Sequence, residues 1–439
     1  MKYFKNKLFI VLFIAIFVRI ILIVLTSPSL YEHNDSYLQR DWGRVSFLYG
    51  FADTYNKEHI SDVGSVNNLP PAATYMFGTS YYLHMQASKG INAIMQRPPG
   101  TLLWMNDGTF ANMFLRLPPA FADVVSGGLI YLLVTKAKKK NALFIASLYL
   151  FNPISIYNSA VWGQIDSVPT MFFVGALYFL TNKKYLLSML VASLSLFVKL
   201  SLLPLFPLYA VILLFHLKTK KLIINSFFTF GAMTIFVLPI SRTPFTWLIQ
   251  FLSKNSMNVL DNVTANAYNF WWVVLRPKLF VPTIPVTDTF LFASYSFWGY
   301  FLYGLFLLPM LFIIYKQRKN QLTPQFIFGA FSALSIIYFL FLPSMHERYL
   351  FAFFPLMAVY VGLKTKYLKI FLIVNIAYAI NLFSVWRYKI PEATLRADPL
   401  LTNVWLSWVL SIAITIMGGL IYVKFVSPYF RKEGKRILQ

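Results

Sequence analysis

The 439-residue chain contains no cysteine, which excludes disulfides, cysteine-ligated zinc and thiol nucleophiles. Charge is scarce. Asp, Glu, Lys and Arg make up 12% of the residues, against about a quarter in a soluble globular chain. Acids are the scarcest, 15 Asp and Glu against 39 Lys and Arg. The five histidines are scattered. They form no His-x-x-x-His or similarly paired spacing, so no metal and no other cofactor is expected. A P-loop, a glycine-rich dinucleotide fingerprint and a G-x-S-x-G elbow are all missing, which argues against direct use of nucleoside triphosphates.

What fills the chain instead is apolar sequence, 58% of it. Runs near the ~20 residues needed to cross hydrocarbon recur throughout. They are continuous rather than alternating segments of about ten residues, which excludes an outer-membrane barrel. The expected fold is an all-α polytopic membrane protein with about twelve spans (range 11–13), forming one integral membrane domain over residues 1–439. The spans are placed at 8–27, 118–135, 142–158, 165–181, 185–199, 201–217, 222–240, 290–314, 325–342, 348–363, 368–385 and 404–425. The first run follows Lys2, Lys5 and Lys7 like a signal peptide. It is longer than a usual h-region and no A-x-A pattern follows, so it reads as a retained helix.

Short basic connections occur at every second turn: 136–141, 182–184, 216–221, 315–320 and 364–369, with the tail 431–436. With the N-terminal lysines and Lys424, this side holds 23 of the 39 Lys and Arg and a single acid, Glu433. The positive-inside rule then places both termini in the cytoplasm. Topology and anionic lipid account for the +24 net charge without nucleic acid. The long polar connections, 28–117 and 241–289, fall outside together with "WGQIDS" (162–167), "PSMHERY" (343–349) and "RYKIPEATLRADP" (387–399).

The chemistry-bearing groups share that outer side. "YEHNDSYLQRDWGR" (31–44) offers Asp35 just past the first helix, with Asp41 nearby. Asp35 is either a general base for an acceptor hydroxyl or part of a solvated loop. "DVGSVNNLPPAATYMF" (62–77) reads as a turn whose Pro-Pro pair starts a helix. The stretch behind it, Ala72 to Met85, suits an interfacial position. Asp123 lies about seven residues into the second span, facing either a cavity or a helical partner. "FNPISIYNSAVWGQIDS" (151–167) gathers Trp162, Gln164 and Asp166 between two apolar runs. Lys199 ends the fifth span as a phosphate ligand or as a snorkelling lysine. In "VTANAYNFWW" (263–272), Asn266 and Asn269 stand beside tryptophans, a combination suited to sugars; interfacial aromatic belts explain the tryptophans equally well. "LPSMHERYLFAFFPL" (342–356) packs His346, Glu347 and Arg348 between two apolar runs. Arg348 can bind phosphate bidentately, His346 can add a second bond, and Glu347 can hold either.

At these residues the chain resembles the GT-C glycosyltransferases, particularly the mannosyltransferase-like members related to enzymes of GPI-anchor assembly and users of dolichol-phosphate-mannose. The matching pieces run in family order: Asp35 and Trp42, "LPPAATY" (69–75), "RLPPAFAD" (116–123), "NPISIYNSAVWGQIDS" (152–167), Lys199 with "LLPLFPL" (202–208), "NAYNFW" (266–271) and "MHERYLFAFFPL" (345–356). The resemblance implies a GT-C fold with a long first extracytoplasmic loop carrying the catalytic acid. It implies a polyprenyl-phosphate sugar as donor, a glycan or glycolipid acceptor and an inverting transfer, performed in the cell membrane on its extracytoplasmic face. By position Asp35 becomes the base, with His346, Arg348 and Lys199 toward the donor phosphate. Trp162, Gln164, Asp166, Asn266 and Asn269 lie toward sugar or acceptor, with Asp41, Glu347 and Asp123 in support. The family often carries an acid just before the Pro-Pro of the first loop. Here Asn68 and Leu69 stand there, and Asp41 or Asp166 are the substitutes. A transporter or flippase is the competing reading. It requires matched halves with broken helices, and no such repeat is visible.

Overall fold

In the computed structural model the described residues are 2–28, 33–56, 62, 64–96, 108–255, 261–275, 284–320, 322–387, 389 and 404–430. Most of the 387–399 connection, the basic tail, and parts of both long polar connections lie outside them. The principal helices are α1 (Lys2–Thr26), α2 (Asn34–Tyr49), α3 (Pro71–Met95), α4 (Thr109–Lys136), α5 (Ala142–Leu150), α6 (Ser167–Thr181), α7 (Tyr185–Val198), α8 (Phe206–His216), α9 (Thr219–Val237), α10 (Pro244–Asn255), α11 (Tyr295–Gln317), α12 (Pro324–Phe341), α13 (Phe353–Leu363), α14 (Leu368–Val385) and α15 (Val404–Phe430). Among the described residues, seven helical segments are long and apolar enough to cross a membrane: those of α1, α4, α9, α11, α12, α14 and α15. The segments at α6, α7 and 200–216 are apolar but shorter. All twelve expected spans therefore correspond to helical sequence, but five of them fall short of that length.

Two boundaries differ from expectation for local reasons. The segment 142–158 is not one helix. Pro153 disfavours a helical conformation at Asn152, so α5 stops at Leu150. The Asn152 side chain then accepts from the Ile154 N–H at 3.0 Å and caps a new turn. That turn widens into a π-helix, Tyr157–Trp162, which ends at Gly163 with φ +83°. The second boundary is that of α4, which begins at Thr109 rather than near 118 and runs through Pro118 and Pro119.

The core sits on α12. Every residue from Phe326 to Phe341 is buried, as expected of a helix that is hydrophobic all round. Small residues let its neighbours approach. A Cβ on Gly418 of α15 would lie 2.7 Å from Leu340, and one on Gly329 would lie 2.8 Å from Tyr360 of α13. By contrast α1 exposes Phe9, Phe13, Phe17 and Ile20, and its described side chains bury the stripe Ala15, Arg19, Ile23 and Thr26. That spacing is one helical face. Arg19 on this stripe is fully buried, 3.6 Å from the equally buried Asp123. It donates to Ser155 Oγ at 3.0 Å, and Tyr149 donates to Asp123 at 2.8 Å. Asp123 is thus a member of an interhelical polar cluster.

Contacts also join the basic connections to one another. Lys136 donates to Asn182, Asn141 donates to the Gly362 carbonyl at 3.3 Å, Phe215 packs on Tyr315, and Lys316 lies over Phe430. They therefore gather at one end of the bundle. The acid-bearing segments meet at the opposite ends of the same helices.

Candidate active site

His33 caps α2, its ring Nδ1 accepting the Asp35 backbone N–H at 3.1 Å. That nitrogen is therefore unprotonated, and its 3.6 Å approach to Asp35 Oδ2 is not an ion pair. The Asp35 carboxylate stands in the first turn of α2, where the helix dipole favours an anion. Its Oδ2 accepts from Gln164 Nε2 at 2.8 Å and lies 3.2 Å from Arg348 NH2. Burial, the largest single influence, pushes this carboxyl up; Arg348 leads the lowering influences, the Gln164 hydrogen bond and Lys199 among them, which together outweigh burial. The group is held far below the usual carboxylate range.

Arg348 follows a short strand. β1 (Thr264–Ala265) pairs in parallel with β2 (Met345–His346), and Ser344 N–H donates to the Val263 carbonyl at 3.1 Å. The second long connection thereby fixes the "MHERY" segment in space. Arg348 NH1 binds Glu347 Oε1 at 2.9 Å, while its Nε is buried with no hydrogen-bond partner. Glu347 is buried, and His346 Nδ1 lies 3.7 Å from its Oε2. Burial and then Arg348 push His346 below the usual histidine range, so it is neutral at pH 7. Lys199 ends α7 and binds Asp166 at 2.6 Å, with both side chains nearly sealed from solvent. The cluster thus holds three carboxyl groups (Asp35, Asp166, Glu347) against two basic groups (Arg348, Lys199).

These groups border a cavity of about 580 Å³. Its lining combines the polar Asp35, Gln39, Gln164, Lys199, His346 and Arg348 with Leu200, Leu203, Pro204, Pro207, Tyr300 and Tyr303. Asn68, Leu69 and Pro70 from the first long connection and Asn255 from α10 also line it. A phosphate with an apolar chain fits this mixed lining, which offers both cations and hydrocarbon-like walls. Among the described residues no group of three or more His, Asp or Glu could hold a metal ion.

The structure brings Asp35, Gln164, Lys199, His346 and Arg348 onto one cavity wall, with Asp166 and Glu347 directly behind as partners. It does not bring the other expected residues there. Trp162 is fully buried, stacked on Trp386 with centroids 5.8 Å apart. Asn266, at φ +60°, bridges His346 by backbone, and its carbonyl accepts from Asn381. Asn269 donates to the Phe339 carbonyl at 3.1 Å and accepts the Trp272 N–H. Asn266 braces the strand that carries His346, and Asn269 ties the same connection to α12. Asp41 pairs with Arg44 at 2.8 Å, and Arg44 also reaches Asp62. Sequence reasoning missed Gln39, which lies one turn past Asp35 and shares its face with Leu38 and Trp42; helical periodicity of α2 would have found it. Arg19 was also legible, as an arginine in mid-span.

No protein-family model matches the chain, and no curated protein does. Among solved structures it is similar to ArnT from Cupriavidus metallidurans bound to undecaprenyl phosphate. The identity is 12% over 94% of this chain and 77% of that one, with a TM-score of 0.46. At that distance the likeness says nothing about which reaction this chain performs.

Proposed function

We propose that the chain is a membrane glycosyltransferase of the GT-C type, moving a mannose-like hexose from a polyprenyl-phosphate donor to an acceptor hydroxyl. The observation that carries this reading is the meeting of Asp35 and Arg348, 313 positions apart in sequence, at 3.2 Å on the wall of a cavity whose lining is otherwise largely apolar. The donor phosphate lies against Arg348 and Lys199 and its isoprenoid chain along Leu203, Pro204 and Pro207. The basic connections cluster at the opposite end of the bundle, which supports an extracytoplasmic site.

The pairing also answers a chemical objection. A carboxylate held far below its usual pKa is a poor base. With three carboxyl groups against two basic groups already paired to them, an incoming phosphate has no spare cation to bind, so it takes Arg348 from Asp35. The freed carboxylate loses its main source of stabilisation and its proton affinity rises. The acceptor hydroxyl gives its proton to Asp35 and attacks the anomeric carbon. The bond from that carbon to the phosphate oxygen breaks with inversion, and the polyprenyl phosphate leaves against Arg348, Lys199 and His346. Gln164 orients Asp35, Glu347 orients Arg348 and Asp166 holds Lys199. The test is incubation of the vesicle-reconstituted protein with radiolabelled polyprenyl-phosphate hexoses and a bacterial membrane lipid extract. Transfer of label from one of them is expected; a panel of such donors left unconsumed would refute the reading.

A further inference from the structure

The charged groups on the cavity wall are committed to one another. Asp166 holds Lys199, Glu347 holds Arg348, and Gln164 donates to Asp35. Gln39 of α2 is not committed. It lines the same cavity and is only 5% exposed, yet its amide has no hydrogen-bond partner among the described residues. An amide carries two N–H donors and a carbonyl acceptor, and leaving one unbonded in a nearly buried place is costly. Proton transfer and phosphate binding give Gln39 no part, so its partner is another portion of the ligand.

The position of that amide is fixed. Asp35 and Gln39 are four residues apart in α2, which places their Cβ atoms about 5–6 Å apart on one helical face. α2 is itself held tightly on α3. A Cβ on Gly43 would lie 2.8 Å from the Phe77 carbonyl, and one on Gly78 would lie 3.0 Å from Ser46, so only glycine permits this approach. Trp42, buried and packed on Phe77, donates to the Ser65 carbonyl at 3.1 Å. The amide is therefore presented to a ligand already oriented, beside the carboxylate.

Which portion of the ligand it meets follows from the phosphate. With the donor phosphate against Arg348 and Lys199, the hexose is tethered there through one glycosidic oxygen. Arg348 lies 3.2 Å from Asp35, so the sugar ring comes to rest beside Asp35 and meets Gln39 one helical turn further along the same face. The donor and acceptor of an amide stand side by side. They match two neighbouring hydroxyls of a pyranose, the NH2 group donating to one oxygen and the carbonyl accepting from the other. We infer that Gln39 is a specificity-determining residue that reads two adjacent hydroxyls of the donor hexose. The inference rests on the glycosyltransferase reading and deepens it, because it states which feature of the sugar the site selects.

The test uses the full chain in phosphatidylethanolamine–phosphatidylglycerol vesicles. The probes are labelled polyprenyl-phosphate mannose, its 2-, 3-, 4- and 6-deoxy analogues, and bare polyprenyl phosphate. Kd is measured by filtration, beside transfer to the bacterial lipid extract. Wild type is expected to bind the analogues lacking one or other of two neighbouring hydroxyls about tenfold more weakly than the parent donor. In Gln39→Leu the parent donor weakens to the level of those analogues, while bare polyprenyl phosphate binds as it does to wild type. Each preference is a ratio within one preparation, so a smaller folded fraction does not alter it. A preference that persists in Gln39→Leu, a weakening of all the lipids together, or a wild type indifferent to every deoxy position overturns the inference; transfer by wild type then leaves the transferase reading standing. Preference lost in Gln39→Leu without any transfer by wild type removes the transferase reading and keeps the sugar subsite. A wild type that binds none of these lipids overturns both.

Discussion

Replacing Asp35 by Asn separates two consequences of one ion pair. The amide keeps the carboxylate's shape and can still meet Gln164, so folding is retained. As a base it is lost, and general-base catalysis contributes about 10²–10⁴-fold, so turnover falls by that factor. Donor affinity moves the other way. At 3.2 Å and an effective dielectric constant of about 20, the gross attraction between Asp35 and Arg348 is about 5 kcal/mol. The side chain is 26% exposed. Solvent screening and the desolvation already spent on the pair reduce the net to on the order of 1–2 kcal/mol. Releasing Arg348 from that competitor tightens the donor Kd by about 5–30-fold. The assay is donor binding to reconstituted protein by filtration, run beside single-turnover transfer. An Asp35→Asn protein that transfers at the wild-type rate refutes the base. One that binds donor more weakly than wild type refutes the competition between carboxylate and phosphate.

Donor binding depends on pH through His346, which faces Arg348, Glu347, Lys199 and Tyr349. Its pKa lies below the usual histidine value, so its charge appears only as the pH falls, adding a cation beside the phosphate. The donor Kd therefore tightens toward acid, on the order of tenfold, and His346→Gln removes that limb; Asp35, whose proton affinity rises only in the donor complex, adds a separate limb at lower pH. Breaking the buried Arg19–Asp123 pair by Arg19→Met alone costs about 3–5 kcal/mol, seen as a lowered Tm in detergent, and adding Asp123→Leu restores most of it; a double variant no more stable than the single one contradicts a mutually compensated pair. Gly163→Ala places a Cβ at φ +83°, 2.9 Å from Arg116 Nε. It costs at least about 1–2 kcal/mol from the backbone alone, again read as Tm.

The sequence by itself determined the membrane class, the helical segments and the segregation of charge, because hydrophobic length and the placement of lysines act locally and survive without tertiary contacts. It also picked out Asp35, Lys199, Gln164 and Arg348, since ionisable and amide groups between apolar runs are conspicuous. The break at Asn152-Pro153 was written in the residues, but the π turn beyond it depends on packing against α1 and α4. Only the tertiary structure decided what each polar group does. Asn269 looks suited to a sugar in sequence, yet the Phe339 carbonyl and the Trp272 N–H take up its side-chain amide, while Asn266 meets His346 through its backbone. Asp166 and Glu347 look available, yet each is buried against a cation. A side chain's partners are set by which distant segment folds against it, and no local spacing encodes that.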